Sequence, residues 1–511
     1  MRVMLVELGA DRDEFNEPIA LGCLAAALRN ANISDLNVEQ RWLMLDPTLP
    51  TVEELRNVEV VGVSAQIGSL DRLDRLMGIV AGLANPPVVV VGNLLATYAP
   101  TELLRRHPQI VCVRSEGEVA LVDICRRRAL GPGNAEIFRG ITNVQVNGDL
   151  LQASVGSKAF DVSLLPDRSF TARVVQRGGI VRIEGSRGCH WGRCEFCSVA
   201  SRFGFEVWRP FPIQRIVDDL CVLSSLGARS PYFTDEDFFG RNYDRAEALA
   251  ESVITAKKRG EIDRDLNFFV SMLASDFRAK ACLRALEVLR RAGLREVFVG
   301  VEAGSNEQLR RFKKKARSWT NDSAIRIAQR LGLQVDIGYI FFEPHMAFED
   351  LTANLEFIRS LPLSDCDSRV VKKLRIQPIT TSRITYSEVV VGPLELDRLT
   401  YPYKFRDDRV GTVWNRYSEW SAGTKQEVDR LLGAARGEVP SEKIRVKLKR
   451  ALAAVRNEDL AALELIMESV ENRSEQEPSA RGLQQVGARK RSALAFATSI
   501  CNDMDSAHPS V

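Results

Sequence analysis

The sequence predicts an α/β protein: a doubly wound parallel-sheet domain, then a partial (β/α)6 barrel, then a mostly helical C-terminal region. Three observations carry this. Apolar runs rich in β-branched residues, such as 58–64 (VEVVGVS) and 87–91 (PVVVV), alternate with helix-patterned segments through the first 130 residues. The same rhythm resumes at 179 and continues to about 380. Strands apolar on both faces, separated by helices, imply parallel sheets covered on both sides. At 511 residues the chain is also too long for one core, and domain sizes suggest roughly 2–4 units.

In order, 2–8 reads as a strand and 19–28 as an Ala- and Leu-rich helix. Then come strand 58–64, helix 70–83, strand 87–91 closed by Gly92 and Asn93, helix 101–106, strand 110–114 and helix 118–127. This makes 1–130 a doubly wound domain, whose ligands belong beyond the C-terminal strand ends. Ser64, Gly92 and Asn93 fall there. Residues 131–178 read as a connector. The barrel occupies 179–380, with strands at 180–184, 231–234, 267–272, 296–302, 335–342 and 374–379 and helices between them. An eight-fold barrel would need about 250 residues. Residues 381–470 form an aromatic, then partly helical cap, and 471–511 read as a flexible tail.

Apolar residues are 45% and charged residues 27%, the mix of an ordinary enzyme, and a net charge of +3 argues against general nucleic-acid binding. Residues 1–8 lack the basic, apolar and small-residue order of a secretory leader, and no run reaches about 18 uncharged apolar residues. A cytoplasmic chain without membrane contact is expected.

Seven of the ten cysteines are scattered in apolar or helical surroundings, as small buried hydrophobes are. Cys189, Cys194 and Cys197 instead crowd into nine residues, Cys-His-Trp-Gly-Arg-Cys-Glu-Phe-Cys. Three soft thiolates suit an iron–sulfur cluster, zinc or copper(I). Structural zinc prefers four ligands, and His190 beside Cys189 makes an awkward fourth. A four-iron cubane on three thiolates leaves one iron open for a substrate or cofactor. The spacing alone leaves cluster, zinc and coincidental thiols as readings. The loop's position after the first barrel strand, at the active end of such a barrel, favours the cluster.

With these residues the chain resembles the radical S-adenosylmethionine enzymes, especially the group with an N-terminal cobalamin-binding-like domain. The resemblance rests on Ser186-Arg187-Gly188 before the cysteines, Phe196 before the last cysteine and Ser198 after it. It continues in the acidic ending of 232–238 (YFTDEDF) and in 299–305 (VGVEAGS). It implies a [4Fe–4S] cluster on Cys189, Cys194 and Cys197, and S-adenosylmethionine beside it. Phe196, Asp235, Glu302 and Gly304 would lie at the cofactor, Glu302 against its ribose. The family usually spaces its cysteines C-x3-C-x2-C, whereas this loop has one more residue, and Gly192 can absorb it. The strand-five ending lacks the family's second glycine, so Phe342 is expected to make the pocket bulkier and Glu343 or His345 to face substrate. Lys313 to Lys315 are expected to hold an anionic substrate or a reductase.

The first domain resembles cobalamin-binding modules through Val61-Gly62-Val63-Ser64, Val91-Gly92-Asn93 and Ser115-Glu116-Gly117-Glu118. Relatives have glycines where Asn93 and Ser115 stand. The Asp-x-His-x-x-Gly loop is absent, so cobalamin would bind without histidine on cobalt. The implied function is a 5′-deoxyadenosyl-radical enzyme, foremost a cobalamin-dependent C-methyltransferase in natural-product or peptide modification. Alternatives are a cobalamin-associated radical cyclase, epimerase or rearrangement enzyme, and a non-catalytic metal-binding scaffold. Implied partners are a small-molecule or peptide substrate and an electron donor such as flavodoxin or ferredoxin.

Overall fold

The valine runs form the strands they predict. A computed structural model of the full chain describes residues 1–511 except 10–14, 132–134, 150–161, 204–205, 364–365, 367–368, 440, 473–479 and 508–511. Parts of the expected connector and tail, and His508, lie outside the described residues. The first sheet comprises β1 (Arg2–Glu7), β2 (Asn37–Trp42), β3 (Val60–Ser64), β4 (Val88–Gly92), β5 (Val111–Val113) and β6 (Val144–Gln145). Their order is β2-β1-β3-β4-β5-β6, parallel except where β6 joins β5. Alternate residues serve opposite faces. Val3, Leu5 and Val60 pack with Leu21 and Leu28, while Met4, Val6, Val61 and Val63 pack with Leu73 and Leu76. The order reverses at β1, so the strand ends open a crevice there. Glu7, Ser64 and Gly92 end three neighbouring strands at that crevice.

The second sheet contains β7 (Arg182–Ile183), β10 (Tyr232–Phe233), β11 (Phe268–Leu273), β12 (Leu294–Glu302) and β13 (Gln334–Tyr339). Its order is β13-β12-β11-β10-β7, all parallel, with helices such as Tyr243–Arg259 and Lys280–Ala292 returning the chain. A ribbon of β8 (Ser186–Gly188) and β9 (Trp208–Pro210) stands beside the first strand. The sixth strand expected over 374–379 is reduced to a bridge between Phe342 and Lys373. Ile376 pairs antiparallel with Tyr401 instead, so the chain turns away before a ladder can extend.

The two sheets are tied together. Asn16 bridges Ile180, and buried Arg168 binds both Glu17, at 3.0 Å, and Asp219, at 2.6 Å. Apolar contacts run unbroken from Val3 to Ile337, making one core of the first domain's inner face and the half-barrel.

The expected flexible tail is corrected by the structure: 480–507 is a helix, Ala480–Ala507. Its buried Leu494, Ala497, Ile500 and Cys501 pack with Val428, Leu431, Leu448 and Leu452 of the helices Lys425–Arg436 and Glu442–Glu471. Lys490 is buried and binds Asp459 at 2.6 Å, so a polar-looking position also faces inward. Lys449 reaches Glu296 near the start of β12, which places this bundle at the barrel end remote from the cysteines. No helix among the described residues is long and apolar enough to cross a membrane.

Candidate active site at the barrel mouth

The cysteine loop leaves β8 at Gly188, whose φ of +92° brings it against the Val207 carbonyl where a Cβ would not fit. Gly192 holds φ +53°, the conformation that accommodates the extra residue. All three cysteines are free and half-buried. Burial pushes the thiol of Cys189 up to about 12 and that of Cys194 up to about 11, and raises Cys197 as well. Bare thiols here stay protonated, so taking up a soft cation must expel their protons. Among the described residues, no three His, Cys, Asp or Glu side chains converge on a single-ion position. His190 turns its Nδ1 onto fully buried Asp237, at 2.5 Å, and is held there. With His190 held by Asp237, the loop offers three thiols as its soft donor set.

The loop is braced from several sides. Phe196 packs edge-on against Phe312 at 4.9 Å, Trp191 donates to the Lys313 carbonyl at 3.0 Å, and Cys197 N–H donates to Cys194 at 3.1 Å. Asp235 accepts from Gly185 N–H at 2.8 Å and from Ser186 Oγ at 2.5 Å. Burial raises its pKa to about 7. Both oxygens accept from the segment entering the loop, so Asp235 braces the cysteines.

Glu302 does reach the mouth. A register irregularity at the end of β12 gives it φ +68°, and its carboxylate lies over Gly300 and Gly338, where Cβ atoms would crowd it. Its partner is Lys314 Nζ at 3.2 Å, with side chains 12% and 6% exposed. Burial alone would lower the Lys314 pKa, but Glu302 and the nearby Cys194 raise it above the ordinary value. The three consecutive lysines have separate fates: Lys313 pairs with Glu195, Lys314 enters the mouth and Lys315 lies over the Trp191 ring at 5.3 Å. The sequence offered the three lysines together, and a basic run carries no signal for which member turns inward; the structure selects Lys314.

Three neighbouring residues have partners within the protein. Gly304 is required by close packing on Phe357 and the helix Phe348–Ser360, and its N–H donates to Asn354 at 2.8 Å. Phe342 is fully buried and packs edge-on against Phe405 and Trp414. Glu343 is fully buried and tied to Arg311 at 2.5 Å and to His345 N–H at 3.0 Å, so it holds a turn.

Between the mouth and the first sheet lies a cavity with about 1000 Å³ of space continuous with solvent. Ser64, Gly92, Asn93, Ser115, Arg202 and Phe203 contribute to its wall, together with apolar Leu21, Leu24 and Val63. The mixed lining suits a large ligand with an apolar ring and a polar edge. Asn93 and Ser115 hold φ +69° and +61°, the left-handed region that glycine favours. The glycine-like backbone thus survives both substitutions. None of the described histidines lines the cavity, and His107 is bound to Asp74 at 2.8 Å. Arg202 and Phe203 belong to the helix Val199–Phe203, which begins two residues after Cys197. Ser115 Oγ donates to the Arg202 carbonyl at 2.8 Å.

Buried Arg187 joins the domains. It binds Glu116 at 2.9 Å and Glu118 at 2.8 Å from the first domain, and Glu184 at 3.0 Å from the barrel.

A doubly wound domain seated over a thiol-bearing half-barrel defines an enzyme that pairs an iron–sulfur centre with a second cofactor. Comparison with known proteins agrees. The B12 binding domain family matches residues 8–125 and the Radical SAM superfamily matches 183–353. The chain belongs to the radical S-adenosylmethionine superfamily, in the group bearing a cobalamin-binding domain, whose cofactors are a [4Fe–4S] cluster, S-adenosylmethionine and cobalamin. A curated relative is 4′-phospho-dehydrooxetanocin synthase of Priestia megaterium, 25% identical over 323 residues, covering 59% of this chain and 42% of that protein. The chain thus spans about two fifths of that relative's length. The solved structure of the cobalamin-dependent S-adenosylmethionine radical enzyme OxsB with aqua-cobalamin is similar over 99% of this chain and 81% of its own, with TM-score 0.76 and 17% identity. The radical S-adenosylmethionine methyltransferase TsrM of Kitasatospora setae, with cobalamin and a [4Fe–4S] cluster, is similar over 93% and 99%, with TM-score 0.63 and 17% identity.

Glu302→Gln is expected to retain the cluster's absorbance but to bind S-adenosylmethionine about ten- to a hundredfold more weakly. A charge-assisted hydrogen bond is worth about 1.5–3 kcal/mol. Calorimetric titration of the reconstituted protein checks this, and equal affinity in both proteins removes Glu302 from the cofactor site.

Proposed function

We propose that this enzyme uses cobalamin and a 5′-deoxyadenosyl radical to rearrange or cyclise a small organic substrate. One observation carries the reading: the helix Val199–Phe203, which follows the third cysteine, also walls the cavity of the B12-binding domain. Two cofactors held at these positions would face one reaction space. Cys189, Cys194 and Cys197 hold the cluster, Glu302 takes the ribose of S-adenosylmethionine, and Phe196 with Phe312 shields the loop from water. Ser64, Gly92 and Asn93 accept cobalamin. The reduced cluster and S-adenosylmethionine supply a radical that removes a substrate hydrogen, and barrel residues must hold that C–H close, since ~1 Å of misplacement costs about 100-fold.

Rearrangement is favoured over methyl transfer by the synthase relative, which matches over more of this chain than the other curated relatives. Methyl transfer is the second reading, supported by the similarity to TsrM. A small-molecule substrate, an electron donor such as flavodoxin or ferredoxin, and a cytoplasmic setting that keeps the three loop thiols reduced complete the proposal. The test is anaerobic reconstitution with cluster and cobalamin, then mass spectrometry of candidate substrates with S-adenosylmethionine carrying an isotopic methyl label. Deoxyadenosine with unlabelled product supports rearrangement, labelled product supports methyl transfer, and no deoxyadenosine with any candidate or with reductant alone rejects both.

A further inference from the structure

The cysteine loop has an outer face with no part in the function described so far. His190 turns inward to Asp237, whereas the Arg193 side chain is 54% exposed and Trp191 is half-buried beside it. The Trp191 indole is fixed by its hydrogen bond to the Lys313 carbonyl. Two cations lie over its ring, Arg193 at 5.8 Å and Lys315 at 5.3 Å from the centroid. Lys313 is exposed as well, and of that run Lys314 alone turns inward. The basic surface continues along the chain through exposed Arg317 to Trp319. Trp319 is 55% exposed at the start of the helix Ser318–Arg330, with Arg278 over its ring at 5.3 Å.

Carboxylates offset part of this charge. Glu206 pairs with Arg193 at 3.0 Å, and buried Glu195 pairs with Lys313. Among the described residues, no carboxylate pairs with Lys315, Arg317 or Arg278. Exposed cations of this kind steer an acidic partner to the surface and set its orientation. Trp and Arg are also the side chains that most often anchor a protein interface. An indole already held in place loses little freedom when a partner covers it.

We propose that Trp191, Arg193, Lys313, Lys315 and Arg317 form the docking surface for a small acidic one-electron carrier protein of the flavodoxin type. The inference rests on the need for an electron donor in the function proposed above. Two observations choose this partner. The charge complements carboxylates ringing a carrier's redox centre. The patch also lies on the cysteine loop itself, so a carrier seated there stands against the cluster's ligands. One electron then passes from the flavin, as its anionic hydroquinone, to the oxidised cluster. The flavin becomes the neutral semiquinone, and no proton moves.

The experiment uses the full chain with its reconstituted cluster and a photoreduced acidic flavodoxin, under anaerobic conditions. Stopped-flow absorbance follows cluster reduction, and calorimetric titration measures binding of the oxidised flavodoxin. The wild-type rate should fall about tenfold as salt is raised from about 0.05 to about 0.3 M. Lys315→Glu and Arg317→Glu should each slow reduction by flavodoxin about tenfold and weaken its binding. The extent of reduction by dithionite and the affinity for S-adenosylmethionine should stay at wild-type values. Should a charge reversal cost the cluster, the neutral Lys315→Gln and Arg317→Gln, about threefold slower, decide instead. Arg290 and Arg330 serve as controls, because they lie together in the last turns of the helices Lys280–Ala292 and Ser318–Arg330, at the opposite end of the barrel. Arg290→Glu and Arg330→Glu should match wild type. Undiminished reduction and binding in the Lys315 and Arg317 variants overturn the inference, as does an equal loss in the controls, which would make the effect one of net charge. A wild type that binds single-stranded RNA but not flavodoxin overturns it in favour of a nucleic-acid surface. In each of these cases dithionite still drives deoxyadenosine formation, so the proposed function stands. Absence of deoxyadenosine with dithionite rejects that function itself.

Discussion

Cys194→Ala is expected to reduce both iron content and deoxyadenosine formation to background. The three thiols are the only soft ligands in the loop, and His190 cannot replace one while its ring is held by Asp237. Two remaining thiolates leave two corners of a four-iron cluster without protein sulfur. Because burial holds Cys189 and Cys194 in the protonated form, assembly requires displacing protons, and iron uptake should fall as the pH is lowered. Iron and sulfide analysis after anaerobic reconstitution, with visible absorbance and a deoxyadenosine assay, checks this. Cys221→Ala, on the helix Ile213–Ser225, is the control and should leave all readouts unchanged. Undiminished iron in Cys194→Ala, or stoichiometric zinc in place of iron in the wild type, would sink the cluster assignment.

The parts of the fold legible in the sequence were those buried on both sides. β3 and β4 are continuous β-branched runs because helices cover both faces, and each was found within two residues of its limits. β2, Asn37–Trp42, was missed because it is an edge strand whose charged residues reach solvent, leaving no apolar run. The helix Ala480–Ala507 was missed for a different reason. Its inward stripe includes Val486, Lys490, Leu494, Ala497 and Cys501, at helical spacing, but one member is a lysine whose buried partner Asp459 lies on another helix. Charge composition therefore read as tail. The same limit applied at the site. Cysteine spacing and Glu302 could be read along the chain, whereas the choice of Lys314 from its basic run, the hydrogen bonds of Asp235 to Gly185 and Ser186, and the packing of Phe342 on Trp414 depend on tertiary partners.

Arg187→Met is the substitution expected to cost most in stability, about 3–5 kcal/mol, the usual consequence of leaving buried charge without its partner. Arg187 is 9% exposed and stands among Glu116, Glu118 and Glu184, whose side chains are 10%, 5% and 15% exposed. Arg209 binds Glu116 at 2.7 Å and would remain, but Glu118 and Glu184 would lose their guanidinium. Two of the carboxylates come from the first domain and one from the barrel, so the damage falls on the seam beside the cobalamin cavity and the residue two before Cys189. Denaturant unfolding and limited proteolysis should show the seam opening at lower denaturant than in wild type, with cleavage first near the domain junction. If the loss arises from unpaired carboxylates rather than from lost packing, adding Glu118→Gln and Glu184→Gln to Arg187→Met should recover much of it, since neutral amides carry no charge to desolvate. A single variant as stable as wild type, or a triple variant less stable than the single one, would show that the clamp does not hold the domains together in this way.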